Sequence, residues 1–167
     1  MPEKIKSSKV AAFLNTTPKA ESATWSRMGK GISSLPISYG AKTTSETYID
    51  EDNATTTVDG YDIGTDTEQV AMKGEPVFDY VDGLRKNLAT GSDCETTIIL
   101  AEIYDLTLEE GKYTGLVRVF GATIVITDYE LSGGEVVKIK YKVSFNGTPE
   151  KKNAEISADG TISFAEA

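Results

Sequence analysis

Apolar and polar residues alternate most cleanly from Glu135 to Phe145. Val137, Ile139, Tyr141, Val143 and Phe145 fall on one face and Lys138, Lys140, Lys142 and Ser144 on the other. A period of two in such residues predicts a strand with one buried and one wet face. Three further stretches read as strands: Thr96 to Tyr104, Tyr113 to Phe120, and Ala122 to Tyr129 with Ile124 and Ile126. Ser132-Gly133-Gly134 predicts a hairpin joining the last two of these four strands, Asn146-Gly147 the end of the second, and Asp159-Gly160 a small terminal hairpin closing at Phe164. Lys9 to Leu14 predicts a first strand, preceded by an arm over residues 1–8.

One stretch changes period. Val77, Val81, Leu84 and Leu88 recur at spacings of three and four, which predicts a helix from Pro76 to about Thr90. Pro76 suits its first turn, Asp79 and Asp82 its positive end, Arg85 and Lys86 its negative end, and Gly91 a left-handed stop. Strands surrounding one helix predict a mainly β fold: two packed antiparallel sheets, a sandwich or flattened barrel, with the helix flanking it. At 167 residues the chain has the length of one domain. We expect a single unit over 1–167, with a long loop at 42–60 and a short C-terminal hairpin within 150–167.

The segment Thr43 to Thr57 breaks the pattern altogether. It is Thr, Ser, Asp, Glu and Asn around the pair Tyr48 and Ile49, with little to contribute to a core. A loop of this length inside a compact domain usually binds something. Charge sharpens the point. Residues 1–42 hold seven basic and two acidic side chains, whereas 43–72 hold eight acidic and none basic, within a chain whose net charge is −9.

That net charge argues against gripping a phosphate backbone. Absence of histidine removes the commonest general base and metal ligand, and the single Cys94 permits no intrachain disulfide or cysteine cluster. Neither a signal-peptide core nor an apolar run of membrane-spanning length is present. The acidic run Asp50-Glu51-Asp52-Asn53, followed by Asp59, Asp62 and Asp66, lacks the Gly and Glu spacing of a calcium loop and reads as a solvated charge run. Gly29-Lys30-Gly31 lacks the phosphate-loop spacing. We therefore expect no enzyme, no cofactor and no metal. Trp25, the single tryptophan, either plugs one end of the core or joins Arg27 in an interface, since Trp and Arg are enriched at interface hot spots.

The order Trp25-Ser26-Arg27-Met28-Gly29-Lys30, a Ser/Thr-rich stretch, then Tyr48-Ile49-Asp50-Glu51-Asp52 resembles the major tail tube proteins of long-tailed (siphovirus, lambda-like) bacteriophages. Thr114 to Gly121, the Gly133-Gly134 hairpin, and a Lys- and Val-alternating strand running into Asn146-Gly147-Thr148-Pro149 are similar to that family's closing strands. The likeness spans roughly residues 20 to 150. It implies a two-sheet sandwich with one flanking helix and a structural virion protein of the phage tail, made in the host bacterial cytoplasm. Such a subunit assembles into stacked hexameric rings, a conduit for the genome. Implied partners are copies of itself, the tape measure protein, and tail tip and tail terminator proteins, with viral DNA passing through the lumen without specific binding.

Ring closure would pair strand edges that a lone sandwich leaves open. An acidic protein suits a conduit, because a basic lumen would hold DNA back. By the same resemblance the 42–60 loop would reach the adjacent ring. Trp25, Arg27, Tyr48, Asp50, Glu51 and Asp52 are the expected inter-subunit contacts, with Lys4, Lys6 and Lys9 of the N-terminal arm meeting the acidic run of a neighbour. A tail terminator or capsid-decoration protein, which forms no continuous tube, is the structural alternative. A ligand-binding sandwich using Tyr39, Tyr48 and Tyr61 is the alternative from another class.

Overall fold

The computed structural model describes residues 1–165; the last two residues of the expected C-terminal hairpin segment lie outside them. The strands are β1 (Val10–Asn15), β2 (Trp25–Arg27), β3 (Ile37–Ser38), β4 (Lys42–Glu46), β5 (Thr55–Gly60) and β6 (Gly64–Val70). After the helix α1 (Pro76–Lys86) come β7 (Glu95–Glu102), β8 (Thr107–Glu109), β9 (Lys112–Glu130), β10 (Lys138–Ile156) and β11 (Ile162–Phe164). The fold is mainly β, with two antiparallel sheets and one helix, an arrangement consistent with a sandwich.

The two sheets are unequal. Nine strands form one sheet in the order β2-β1-β7-β9-β10-β6-β3, with β8 and β11 joined to β9 and β10, while β4 and β5 form the other alone. Alternation along β1 and β7 buries both of their faces. Ala12, Leu14, Ile98 and Leu100 enter a first core with Tyr141, Val143 and α1, and Ala11, Phe13, Ile99 and Ala101 enter a second with Val117, Ile156 and Ile162. Val77 and Val81 of α1 are fully buried in the first core, each contributing roughly 1.5–3 kcal/mol of burial free energy.

Several sequence expectations are corrected. Tyr113 to Tyr129 is not two strands: β9 runs unbroken through Gly121, which pairs with Thr97 on one side and Asn146 on the other. Asn146-Gly147 does not end a strand. Gly147 adopts φ +70° within a register shift between Asn146 and Glu150, after which β10 continues to Ile156. The partner strand supplies hydrogen bonds on both sides of the irregularity, so the turn residues become a bulge. The same β10 begins at Lys138 rather than Glu135, because residues 131–137 form the connection.

The helix is corrected as well: it ends at Lys86 rather than near Thr90. Ala89 N–H donates to the Leu84 carbonyl (3.0 Å) and Leu88 N–H to that of Arg85 (3.2 Å), a Schellman closure in which Leu88, not Gly91, takes the left-handed position at φ +48°. At the other end Pro76 is in the first turn, as expected, and the Glu75 carboxylate caps the helix by accepting from Phe78 N–H (2.7 Å). Asp82 does not serve the positive end. It pairs with Arg85 (2.7 Å) and Lys86 (3.1 Å) one turn later.

A buried polar thread links sheet and helix. Gln69 on β6 accepts from the Tyr141 hydroxyl (3.0 Å) and donates to Glu75 (2.9 Å) and the Lys30 carbonyl (3.1 Å). Burial pushes the Tyr141 hydroxyl pKa well up. This thread fixes the loop after β2 against the start of α1.

Candidate assembly interface

Segment 42–60 is a projecting β-hairpin, and it forms the whole of the smaller sheet. Thr43 pairs with Val58, Thr44 with Thr57, Ser45 with Thr56 and Glu46 with Thr55. Every residue from Lys42 to Asp59 is exposed. Apart from Val58, side chains on both faces are polar: Ser45 and Thr56 hydroxyls lie 2.9 Å apart, and Thr44 donates to Asp59. A two-stranded hairpin packed on nothing is marginal in water.

The base is tied to its flanking residues. Asp62 N–H donates to the carbonyls of Tyr39 (3.0 Å) and Gly40 (3.2 Å), and the Tyr39 and Tyr61 rings meet edge to face at 6.3 Å. Gly40 has φ +50°, and a Cβ there would stand 2.5 Å from the Asp62 carbonyl oxygen, so only glycine fits.

The tip carries Tyr48, Ile49, Asp50, Glu51 and Asp52. Glu51 N–H closes the turn on the Tyr48 carbonyl (3.0 Å), and the Tyr48 hydroxyl donates to Glu46 (2.7 Å), a bond that raises the Tyr48 pKa. Ile49 is 107% exposed, as open as in an extended chain. Asp50, Glu51 and Asp52 make no ion pair among the described residues. The structure thus gathers the acidic tip residues and Tyr48 in one place.

Trp25 is elsewhere. It sits half-buried on β2, its ring 5.8 Å from Phe164 and perpendicular to it, beside the second core. Arg27, two residues on, is exposed and donates to the Ser8 carbonyl (3.2 Å), holding the N-terminal arm against β2. Lys9 donates to the Tyr113 hydroxyl (2.9 Å), and Lys4 and Lys6 are exposed on the arm. Arg27 and Lys9 bond to neutral oxygens, so their charges are not neutralised by these contacts.

Sequence reasoning missed a groove of about 640 Å³ between this arm and the strap 29–37. It exists because the large sheet coils until its two ends approach. Arg27 and Val10 from one end, and Ile37 from the other, line the same space. The strap is pinned across the gap by Val70 N–H donating to the Gly31 carbonyl (2.9 Å). Gly31, at φ +77°, has no room for a Cβ there. The groove floor is Ala12, Met28 and Leu100. No local pattern signals such a seam, since its walls come from three separate stretches of the chain.

A second, more apolar depression of about 740 Å³ lies between the end of α1 and β9, lined by Leu84, Leu88, Val125 and Ile126. Cys94 borders it, its thiol donating to the Ala89 carbonyl (3.2 Å). On the wet face of the large sheet, Lys140 bridges Glu130 (2.9 Å) and Glu68 (3.7 Å). The hydrogen bond to Lys140 holds the Glu130 carboxyl below its usual range.

No helix among the described residues is long and apolar enough to cross a membrane. No family model matches the chain, and no curated protein matches it. Among solved structures, the chain is similar to one in the cryo-EM structure of the anti-feeding prophage (AFP) baseplate, 6-fold symmetrised. The identity is 10%, the match covers 95% of this chain and 99% of that one, and the TM-score is 0.47.

Proposed function

We propose that this protein is a structural subunit of a phage tail, assembling into stacked hexameric rings that form the tail tube. The observation that carries the proposal is the hairpin 42–60, exposed on both faces and tipped by an open isoleucine beside three unpaired acids. A two-stranded hairpin with no sheet or helix behind it is marginal in water, and a partner that covers it would stabilise it. The sequence resemblance supplies the identity of that partner, another copy in the adjacent ring. It also supplies the number six and the tube itself.

Two further features support the reading. The large sheet ends in the two-residue β3, which pairs only with Gly64 and Thr65 of β6 and leaves the stretch from Asp66 to Gln69 of that edge for pairing between copies. Charge separation fits as well: the acidic tip of one copy complements the basic 1–42 segment of another, with Lys4, Lys6, Lys9 and Arg27 as its cations. Catalysis has no place in this reading, which needs only shape, edges and charge. Nor does it require a cofactor or a metal.

Negative-stain electron microscopy of the purified chain across a concentration series is the test. Hollow tubes of uniform width are expected. Single rings that never stack would replace the tube with the terminator reading, and monomers at every concentration, even with a tail-tip initiator added, would overturn self-assembly.

A further inference from the structure

The tip of the hairpin presents an apolar anchor followed by three negative charges, and nothing in its own chain covers it. The seam groove offers the reverse. Its walls include Ile5, Ile32 and Leu35, and its rim carries Lys6 and Arg27, while no acidic side chain lines it. Lys4, Lys9 and Lys30 stand beside those lining residues in the sequence. We infer that the seam groove is the receptor for the hairpin tip of a second copy. Ile49 and Tyr48 enter between arm and strap, and Asp50, Glu51 and Asp52 meet the basic rim.

The fit is chemical as well as electrostatic. Burying Ile49 removes from water the most exposed aliphatic side chain outside the N-terminus. The arm forming one wall is itself exposed from Met1 to Lys9, with Ile5 58% exposed, so an inserted side chain covers apolar surface on both partners. The depression at the end of α1 is the weaker receptor. Its basic neighbours Arg85 and Lys86 are already paired with Asp82, and Glu95 lines it, so an acidic tip gains less there.

Tip-into-groove contact is heterologous: each copy offers one tip and one groove, so the contact propagates instead of closing on a pair. The inference rests on the reading of this chain as a self-assembling subunit, but it specifies a site which that reading leaves open.

Disulfide trapping in the full chain tests it, with Cys94→Ser as background. Ile49→Cys is mixed with Ser33→Cys on the strap or, as controls, with Leu88→Cys in the other depression or Leu131→Cys on the 131–137 connection; all four sites are exposed. Mild oxidation is expected to link the 49 and 33 variants at least tenfold more than either control pair. Equal trapping in all three mixtures overturns the receptor assignment, and preferential trapping at Leu88→Cys moves it to the helix end. Microscopy of the Cys94→Ser parent, which keeps Ile49, scores tubes separately. Tubes without 49–33 trapping refute the groove and leave the tube, whereas trapping without tubes keeps the groove and refutes the tube.

Discussion

Leu88 shows how a single residue can be right in pattern and wrong in place. Its spacing from Leu84 assigns it to the apolar stripe of the helix, yet it stands outside α1, 82% exposed and in the left-handed region. A branched side chain at that C′ position costs on the order of 1 kcal/mol relative to glycine. Leu88→Gly is therefore expected to stabilise the fold by about 1 kcal/mol, read from the urea midpoint.

Asp82 gives a prediction with a sign. Burial raises its pKa, but hydrogen bonds from Arg85 and Lys86 and their charges outweigh this and leave it below the usual carboxylate range. Its contribution is complete above the ordinary value of about 4 and is lost as pH falls through the lowered one. Asp82→Asn should cost about 0.5–1 kcal/mol at pH 7, and the difference from the parent should shrink as unfolding is measured at progressively lower pH below 4.

At the scale of elements, the hairpin 42–60 is the piece whose role separates from folding. No residue between Lys42 and Asp59 is buried, so its side chains add little to the two cores. Ile49→Asp is expected to leave the thermal midpoint within about 2 °C of the parent, since surface changes away from special features stay within roughly 0.5 kcal/mol. The same change should abolish stacking in sedimentation and microscopy. Normal tubes from Ile49→Asp would show that the tip is not an assembly contact. The strands β9 and β10 teach a different lesson. Their alternation was legible, but Gly121 and Asn146-Gly147 looked like breaks because a strand's continuity depends on the partner beside it. In the folded sheet that partner pairs with residues on both sides of each.

For the whole molecule, the uneven charge is the feature that acts at a distance. A basic N-terminal quarter and an acidic segment after it attract between copies and are screened by salt, with a Debye length falling from about 10 Å at 0.1 M to about 3 Å at 1 M. Polymer yield is expected to drop as salt rises from 0.05 to 0.5 M, and neutralising the tip as Asp50→Asn, Glu51→Gln and Asp52→Asn should remove most of that dependence. A yield indifferent to both changes would place the driving force in apolar contacts alone.

By itself the sequence determined what depends on neighbours along the chain. The two-residue period of β10 assigned its wet and buried faces. Pro76 marked the start of the only α-helix among the described residues, and the polar run around Tyr48 marked a segment outside the core. These signals are local because alternation and capping act within a few residues. Tertiary structure alone decided where α1 stops, that β9 and β10 run through their glycines, and that Trp25 leans on Phe164. It also decided that the sheet coils until Val10, Arg27 and Ile37 share one groove. Each of those outcomes depends on hydrogen bonds or packing between residues far apart in the chain, and no window of sequence contains both partners.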